Sequence, residues 1–190
     1  MKTTSVMIVG VGGQGSLLAS KLLGRLLVDE GYDVKVSEVH GMSQRGGSVV
    51  TYVRFGEKVY SPIIAEGEAD IIISFEKLEA ARYAGFLKKD GKIIVNTQQI
   101  DPMPVIIGAA SYPEDVLLEL ENKGLGIEAI DALSLANEAG SSKAVNIVLM
   151  GRAAKYFDIP KDAWIKAIEN TVAERFVEMN KKAFDLGFNS

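Results

Sequence analysis

The chain contains no cysteine among its 190 residues. Disulfides, thiolate nucleophiles, Cys-ligated zinc and iron–sulfur clusters are therefore excluded from this polypeptide, and a reducing compartment is its natural home. Histidine is almost as scarce, with a single copy at His40. No uncharged apolar run approaches the roughly 20 residues needed to span a bilayer, and the opening MKTTSVMIVG has neither the apolar core nor the cleavage site of a signal peptide. Positive charge is in deficit, 21 Lys and Arg against 25 Asp and Glu for a net charge of −4. That balance argues against general nucleic-acid binding or attachment to an anionic membrane. The expectation is a soluble, cytoplasmic protein.

What is present is ordinary globular material. Apolar residues make up 47% and charged residues 24% of the chain, enough for a self-sufficient core without a disulfide or metal staple. No repeat, linker or low-complexity segment divides it, so residues 1–190 read as one domain.

Ser5 to Val9 is a short apolar run rich in β-branched residues and bounded by Gly10, the pattern of a buried parallel strand. After Gly10-Val-Gly12-Gly13-Gln14-Gly15, leucines at helical spacing continue to Leu27, and Gly31 supplies a stop. Asp33 to Val39 alternates as a second strand, so the chain opens with a βαβ unit. Ser48 to Phe55 then reads as a strand, with Gly56-Glu57 as a hairpin turn before Val59 to Ile64. Ala69 to Phe75 is a buried strand, Glu76 to Leu87 a helix and Lys92 to Asn96 a strand. Pro113 to Lys123 is helical, Ile127 to Ile130 a short strand, and helices follow from Asp131 and from Ala144. The last helix starts near Pro160 and runs past Met179 with the apolar stripe Trp164, Ile168, Val172, Phe176 and Met179. The expected fold is a three-layer α/β domain with a Rossmann-like βαβ start, a β-hairpin, a mixed sheet and a helical C-terminus.

Two loops carry the chemistry. Gly10, Gly12, Gly13, Gln14 and Gly15 satisfy G-x-G-x-x-G between a strand and a helix, where glycines allow close approach and free amides favour an anion. Glu38, ending the second strand, stands where a ribose-binding acid would. The alternative is that these glycines only let strand and helix pack closely. The second loop, Ser37-Glu38-Val39-His40-Gly41-Met42-Ser43-Gln44-Arg45-Gly46-Gly47, leaves the same edge of the sheet. There Arg45 can fork onto a carboxylate or phosphate, and His40 can exchange a proton near neutrality. Gly41, Gly46 and Gly47 free backbone amides for an anion. Elsewhere the bland readings prevail: Glu76, Glu79 and Arg82 as a solvated salt-bridged face, Asn96 and Asn146 as buried ties, Met42 as a packing residue and Trp164 as core.

The strings GVGGQG, SEVHGMSQRGGSV, VRFG, SPII and ADIIISFEKLEAAR resemble the beta subunits of indolepyruvate:ferredoxin oxidoreductases, and more broadly the gamma-type subunit or domain of 2-oxoacid:ferredoxin oxidoreductases. The resemblance is continuous from about Val6 to Asn96 and extends more weakly to the last helix. It implies an oxidoreductase acting on aryl 2-oxoacids with ferredoxin as acceptor, in which this chain is a subunit inactive alone. It also implies thiamine diphosphate and 4Fe–4S clusters in a large alpha subunit, with coenzyme A taking the acyl group. The glycine loop and the residues Glu38, His40, Gly41, Met42, Ser43, Gln44, Arg45, Gly46 and Gly47 match the family motif. The resemblance implies a place beside the shared pocket for coenzyme A and the 2-oxoacid; which residues touch which ligand does not follow from the motif, and from their shared edge of the sheet Arg45 and the glycine-loop amides are expected to hold an anionic group, either coenzyme A phosphate or substrate carboxylate. A self-contained NAD(P)- or flavin-binding protein using Glu38, or a scaffold without contact to substrate, remain the alternatives.

Overall fold

The computed structural model of the protein describes residues 3–41 and 46–190; Met42, Ser43, Gln44 and Arg45 lie outside the described residues. In chain order the elements are β1 (Thr4–Val11), α1 (Ser16–Asp29), β2 (Asp33–His40), β3 (Ser48–Gly56), β4 (Ala69–Ser74), α2 (Lys77–Tyr83), β5 (Leu87–Asn96), α3 (Met103–Ile106), α4 (Val116–Asn122), β6 (Gly126–Ile130), α5 (Ala132–Ala139), α6 (Val145–Ala154), α7 (Lys161–Thr171) and α8 (Val177–Asn189). The described strands form one mixed sheet in the order β2-β3-β1-β4-β5-β6. β1, β4, β5 and β6 run parallel, and β3 runs antiparallel to both of its neighbours, β1 and β2.

Strand alternation builds the layers. Val6 and Ile8 of β1 face a core shared with α1, α5, α6, α7 and α8, while Met7 and Val9 face a smaller core under α2 and α4. Trp164, fully buried, meets Phe157 edge-on at 5.3 Å and Phe184 at 5.8 Å in the first core. The helical C-terminus closes on itself through glycine. A Cβ built on Gly187 would lie 1.9 Å from the Val148 carbonyl oxygen, and one on Gly151 would lie 2.2 Å from that of Phe184. Helices α6 and α8 therefore touch backbone to backbone, an approach that any side chain would block.

The fold class follows the expectation; four local readings do not. The opening strands β1 and β2 are not side by side, because β3 inserts between them. The hairpin joins β2 to β3, with Asp33 opposite Gly56 and His40 opposite Val49. Residues Val59 to Ile64 form no strand, since both edges of β3 are occupied and Pro62 has no amide to donate. Instead Val59 and Ile64 plug in as buried residues, and Arg54 donates to the Ser61 and Ile63 carbonyls at 3.3 and 2.9 Å. Finally, the stripe ending in Phe176 does not lie on one helix. Val172 is extended (φ −95°, ψ 153°), α7 stops there, and α8 restarts at Val177. Among the described residues no helix is long and apolar enough to cross a membrane.

Candidate functional site

The glycine loop follows β1 because each of its parts answers a contact. Gly10 packs against Phe75, and a Cβ there would lie 2.9 Å from both Phe75 Cβ and Gln14 Oε1. The Gln14 side chain folds back under the turn, where its Oε1 accepts the Val11 N–H at 2.7 Å and its Nε2 donates to the Phe75 carbonyl at 3.0 Å. Gly15 sits in the left-handed region at φ 87°, with Asn146 Nδ2 only 2.8 Å from where its Cβ would be. Asn146 in turn donates to the Gly15 carbonyl at 3.2 Å. The third fingerprint glycine is thus required by a neighbouring side chain as well as by its backbone conformation. The first-turn amides of Ser16 and Leu17, without intrahelical acceptors, point out of the end of α1.

The second loop is stitched to the first. Gly12 N–H donates to the Gly47 carbonyl at 2.8 Å and Gly46 N–H to the Gly12 carbonyl at 3.4 Å, extending the β1–β3 ladder beyond Val11 and Ser48. Glu38 accepts from the Thr51 hydroxyl at 3.3 Å, and His40, exposed, holds its Nδ1 3.1 Å from the Gly41 carbonyl. The structure therefore gathers Gly10, Gly12, Gly13, Gln14, Gly15, Glu38, His40, Gly46 and Gly47 at one edge; the expectations for Met42, Ser43, Gln44 and Arg45 fall outside the described residues. Because β3 separates β2 from β1, Glu38 reaches this edge from two strands away rather than from the adjacent strand of a dinucleotide-binding unit.

The glycine loop divides two cavities of unlike polarity. On the β2 side, Glu38 and His40 with Gly12, Gly13, Gly15 and Ser16 line a cavity of about 440 Å³. On the other side a larger one, about 620 Å³, is lined by Gly13, Gln14, Gln98, Ser142, Lys143 and Asn146 among others. Lys143 has no carboxylate partner among the described residues and no acidic side chain shares its cavity wall. An anion would favour the Lys143 side, and a hydroxyl or cation the Glu38 side. Sequence reading missed Lys143. It lies in the plain polar stretch Gly140-Ser-Ser-Lys143, and only the fold brings that connection beside a loop more than a hundred residues earlier.

Below the loops lies a polar layer that the sequence reading placed in solvent. Glu76 and Glu79 are 1% and 5% exposed. Glu76 caps α2 by accepting the Glu79 N–H at 3.0 Å, and it also accepts the Ile100 N–H at 3.2 Å and the Tyr112 hydroxyl at 2.5 Å. Burial, with the bond to Glu76, pushes the Tyr112 phenol well above its usual range. Glu79 accepts from the Ser48 hydroxyl at 2.5 Å and pairs with Arg82 at 3.2 Å. Burial raises the Glu79 carboxyl above the usual glutamate value, outweighing the Ser48 bond and Arg82, which lower it. Asn96 donates to the Phe75 carbonyl at 3.2 Å and accepts the Ala132 N–H at 3.2 Å, the tie expected of it.

The sequence profile of the pyruvate ferredoxin/flavodoxin oxidoreductase family matches residues 5–190. The chain belongs to this family. It is 45% identical to the indolepyruvate oxidoreductase subunit IorB of Pyrococcus horikoshii, over 98% of this chain and 95% of that one. A pyruvate oxidoreductase subunit from Thermotoga maritima shares the fold at a TM-score of 0.77 and 20% identity, covering 100% of this chain and 97% of its own. The 2-oxoglutarate:ferredoxin oxidoreductase of Magnetococcus marinus, solved with 2-oxoglutarate, coenzyme A and succinyl-CoA bound, matches 100% of this chain within 31% of a longer one, at a TM-score of 0.75 and 18% identity. The same fold thus occurs both as a separate chain and as part of a longer one.

Proposed function

We propose that this chain is the cluster-free subunit of an indolepyruvate oxidoreductase, and that its glycine-loop edge completes the active site of a large companion subunit. The near full-length similarity to subunits of that name supports the assignment, and the absence of cysteine agrees with clusters carried elsewhere. In this reading the companion supplies thiamine diphosphate and the 4Fe–4S clusters for oxidative decarboxylation of an aryl 2-oxoacid. Ferredoxin takes the electrons and coenzyme A the acyl group.

This chain's own residues bind and orient. The observation that carries the reading is the glycine loop set between a cavity with a free cation and a cavity with a carboxylate. The glycine-loop amides and Lys143, which share the larger cavity, hold an anionic group, either a coenzyme A phosphate or the oxoacid carboxylate. In this proposal Arg45 holds the same group. Glu38 and His40 face the opposite cavity, where they accept or donate to neutral polar groups. Reconstitution of Lys143→Ala with the companion subunit should raise KM for coenzyme A or for the 2-oxoacid about tenfold, equivalent to ~1.4 kcal/mol, with the thermal stability of the chain unchanged. Arg45→Ala should act on the same KM. Kinetics unchanged in both variants would overturn the assignment of this edge to an anion.

A further inference from the structure

Apart from Gln98 in the cavity wall and the bonds of Ile100 and Tyr112 to Glu76, the excursion between β5 and α4 has no part in the site described so far. From Pro102 to Pro113 it carries no charged residue. It nevertheless exposes Met103, Ile106 and Ile107 at 65%, 66% and 69%. Single exposed apolar side chains are unremarkable, but three in five consecutive residues at one tip are not. Nor is the tip a loose loop that could fold its apolar groups inward. Its amides are satisfied internally: Ile106 N–H donates to the Pro102 carbonyl at 3.1 Å, Ile107 to Met103 at 3.0 Å and Ala109 to Pro104 at 2.8 Å. Both ends of the excursion are fixed to one atom, since Glu76 Oε1 accepts from the Ile100 amide and from the Tyr112 hydroxyl. A buried carboxylate thus holds an apolar knob open to solvent in one shape.

We infer that this knob docks into an apolar recess of the large companion subunit, and that Glu76 is the positioning residue that presents it. The inference rests on the reading of the chain as one subunit of a larger oxidoreductase. Two observations select this occupant. First, the excursion leaves the carboxyl end of β5, and Gln98, two residues before Ile100, lines the larger glycine-loop cavity. A partner that shares that cavity therefore meets the knob without leaving the sheet edge. Second, the same fold is built into about a third of a longer chain in the Magnetococcus marinus enzyme, where the rest of that chain is joined to it covalently. Apolar anchors projecting from a preorganised base are what carries binding energy at such contacts, because little conformational entropy is lost when they are buried.

The test is association of the chain with the tagged companion subunit, measured by titration and size-exclusion chromatography. The double variant Ile106→Asp/Ile107→Asp should weaken association at least a hundredfold, while the isolated chain keeps its melting temperature within about 2 °C because both side chains are already solvated. Met103→Ser, a milder change, should weaken association about tenfold or less. Glu76→Gln retains the shape of the side chain but not its charge, and should weaken association in proportion to the loss of order in the knob. Tyr60→Asp, at an 89% exposed position on the opposite edge of the sheet, should leave association intact. Wild-type association matched by the double variant and Met103→Ser would overturn the inference alone. So would a self-associating wild type that the double variant makes monomeric while companion binding persists, since a second copy would then be the occupant. Failure of the wild type itself to bind the companion would overturn the functional reading and this inference with it.

Discussion

At the amino end of the strands, the carboxylates of Asp33 and Asp70 meet partners. Asp33 pairs with Lys35 and Lys58 and accepts the Val59 N–H at 2.9 Å. Asp70 pairs with Lys88 and accepts the Ser5 N–H at 2.8 Å, and one guanidinium nitrogen of Arg54 donates to two carbonyls while its buried Nε has no partner among the described residues. At the carboxyl end the arrangement is inverted. A buried layer of Glu76, Glu79, Asn96 and Asn146 is hydrogen-bonded within the fold, while above it Lys143 has no carboxylate partner among the described residues and the apolar knob is exposed. The difference teaches where to look for function: one edge pairs its buried carboxylates with cations and amides of its own, whereas the other holds a cation and apolar residues open on a rigid base, the arrangement of a surface built for something absent.

The largest expected effect tests the rigid base. Gly15→Val forces a β-branched residue into the left-handed region and against Asn146, and should cost about 3 kcal/mol or more of stability by denaturant titration. A loss under 1 kcal/mol would show that the base yields, which breaks the contrast. Next is Asp131, which caps α5 through the Ser134 amide at 3.0 Å. Its carboxyl is held below the usual aspartate value first by the Ser134 hydroxyl and then by backbone amides. Its contribution is present above the unfolded value, near 3.8, and is lost as pH falls through the folded one. Asp131→Ala should cost ~1 kcal/mol at pH 7, and a melting series down to low pH should show the gap closing. The smallest effects come in a pair. Glu79, raised by burial, destabilises the fold as pH climbs past the unfolded glutamate value near 4.5. Glu79→Gln should therefore gain relative to the wild type with rising pH, a slope opposite to that of Asp131. Asp70→Asn, at the amino end, should cost roughly 0.5 kcal/mol, vanish in molar salt and leave holoenzyme kinetics unchanged.

Much of this was legible in the chain. The buried run Val6 to Val9, the glycine turn and the leucines of α1 announce themselves by composition and period, and Asp131 and Pro160 mark helix starts as capping rules require. Strand order was not legible, because β3 slips between β1 and β2 by pairings that leave no local trace. Glu76 and Glu79 misled for a related reason: their spacing with Arg82 fits a wet helix face, and only the fold shows that this face turns toward Ser48 and Tyr112. The break at Val172 carries neither glycine nor proline, so the apolar period runs on through a helix that stops. At the site, the glycine loop and Glu38 could be found by motif. Lys143 and the knob could not, since each acquires meaning only from what the fold sets beside it.

The bond from Asn146 to the Gly15 carbonyl joins residues 131 positions apart. During synthesis the glycine turn leaves the ribosome early, yet the side chain that fixes its left-handed residue arrives only when about three quarters of the chain has been made. Until then the first turn of α1 is an ordinary flexible segment, and a truncated chain would carry the fingerprint without the shape it spells. Such late closure of an early element is a long-range contact of the kind that slows folding. A subunit finished this way presents its docking edge only once it is whole.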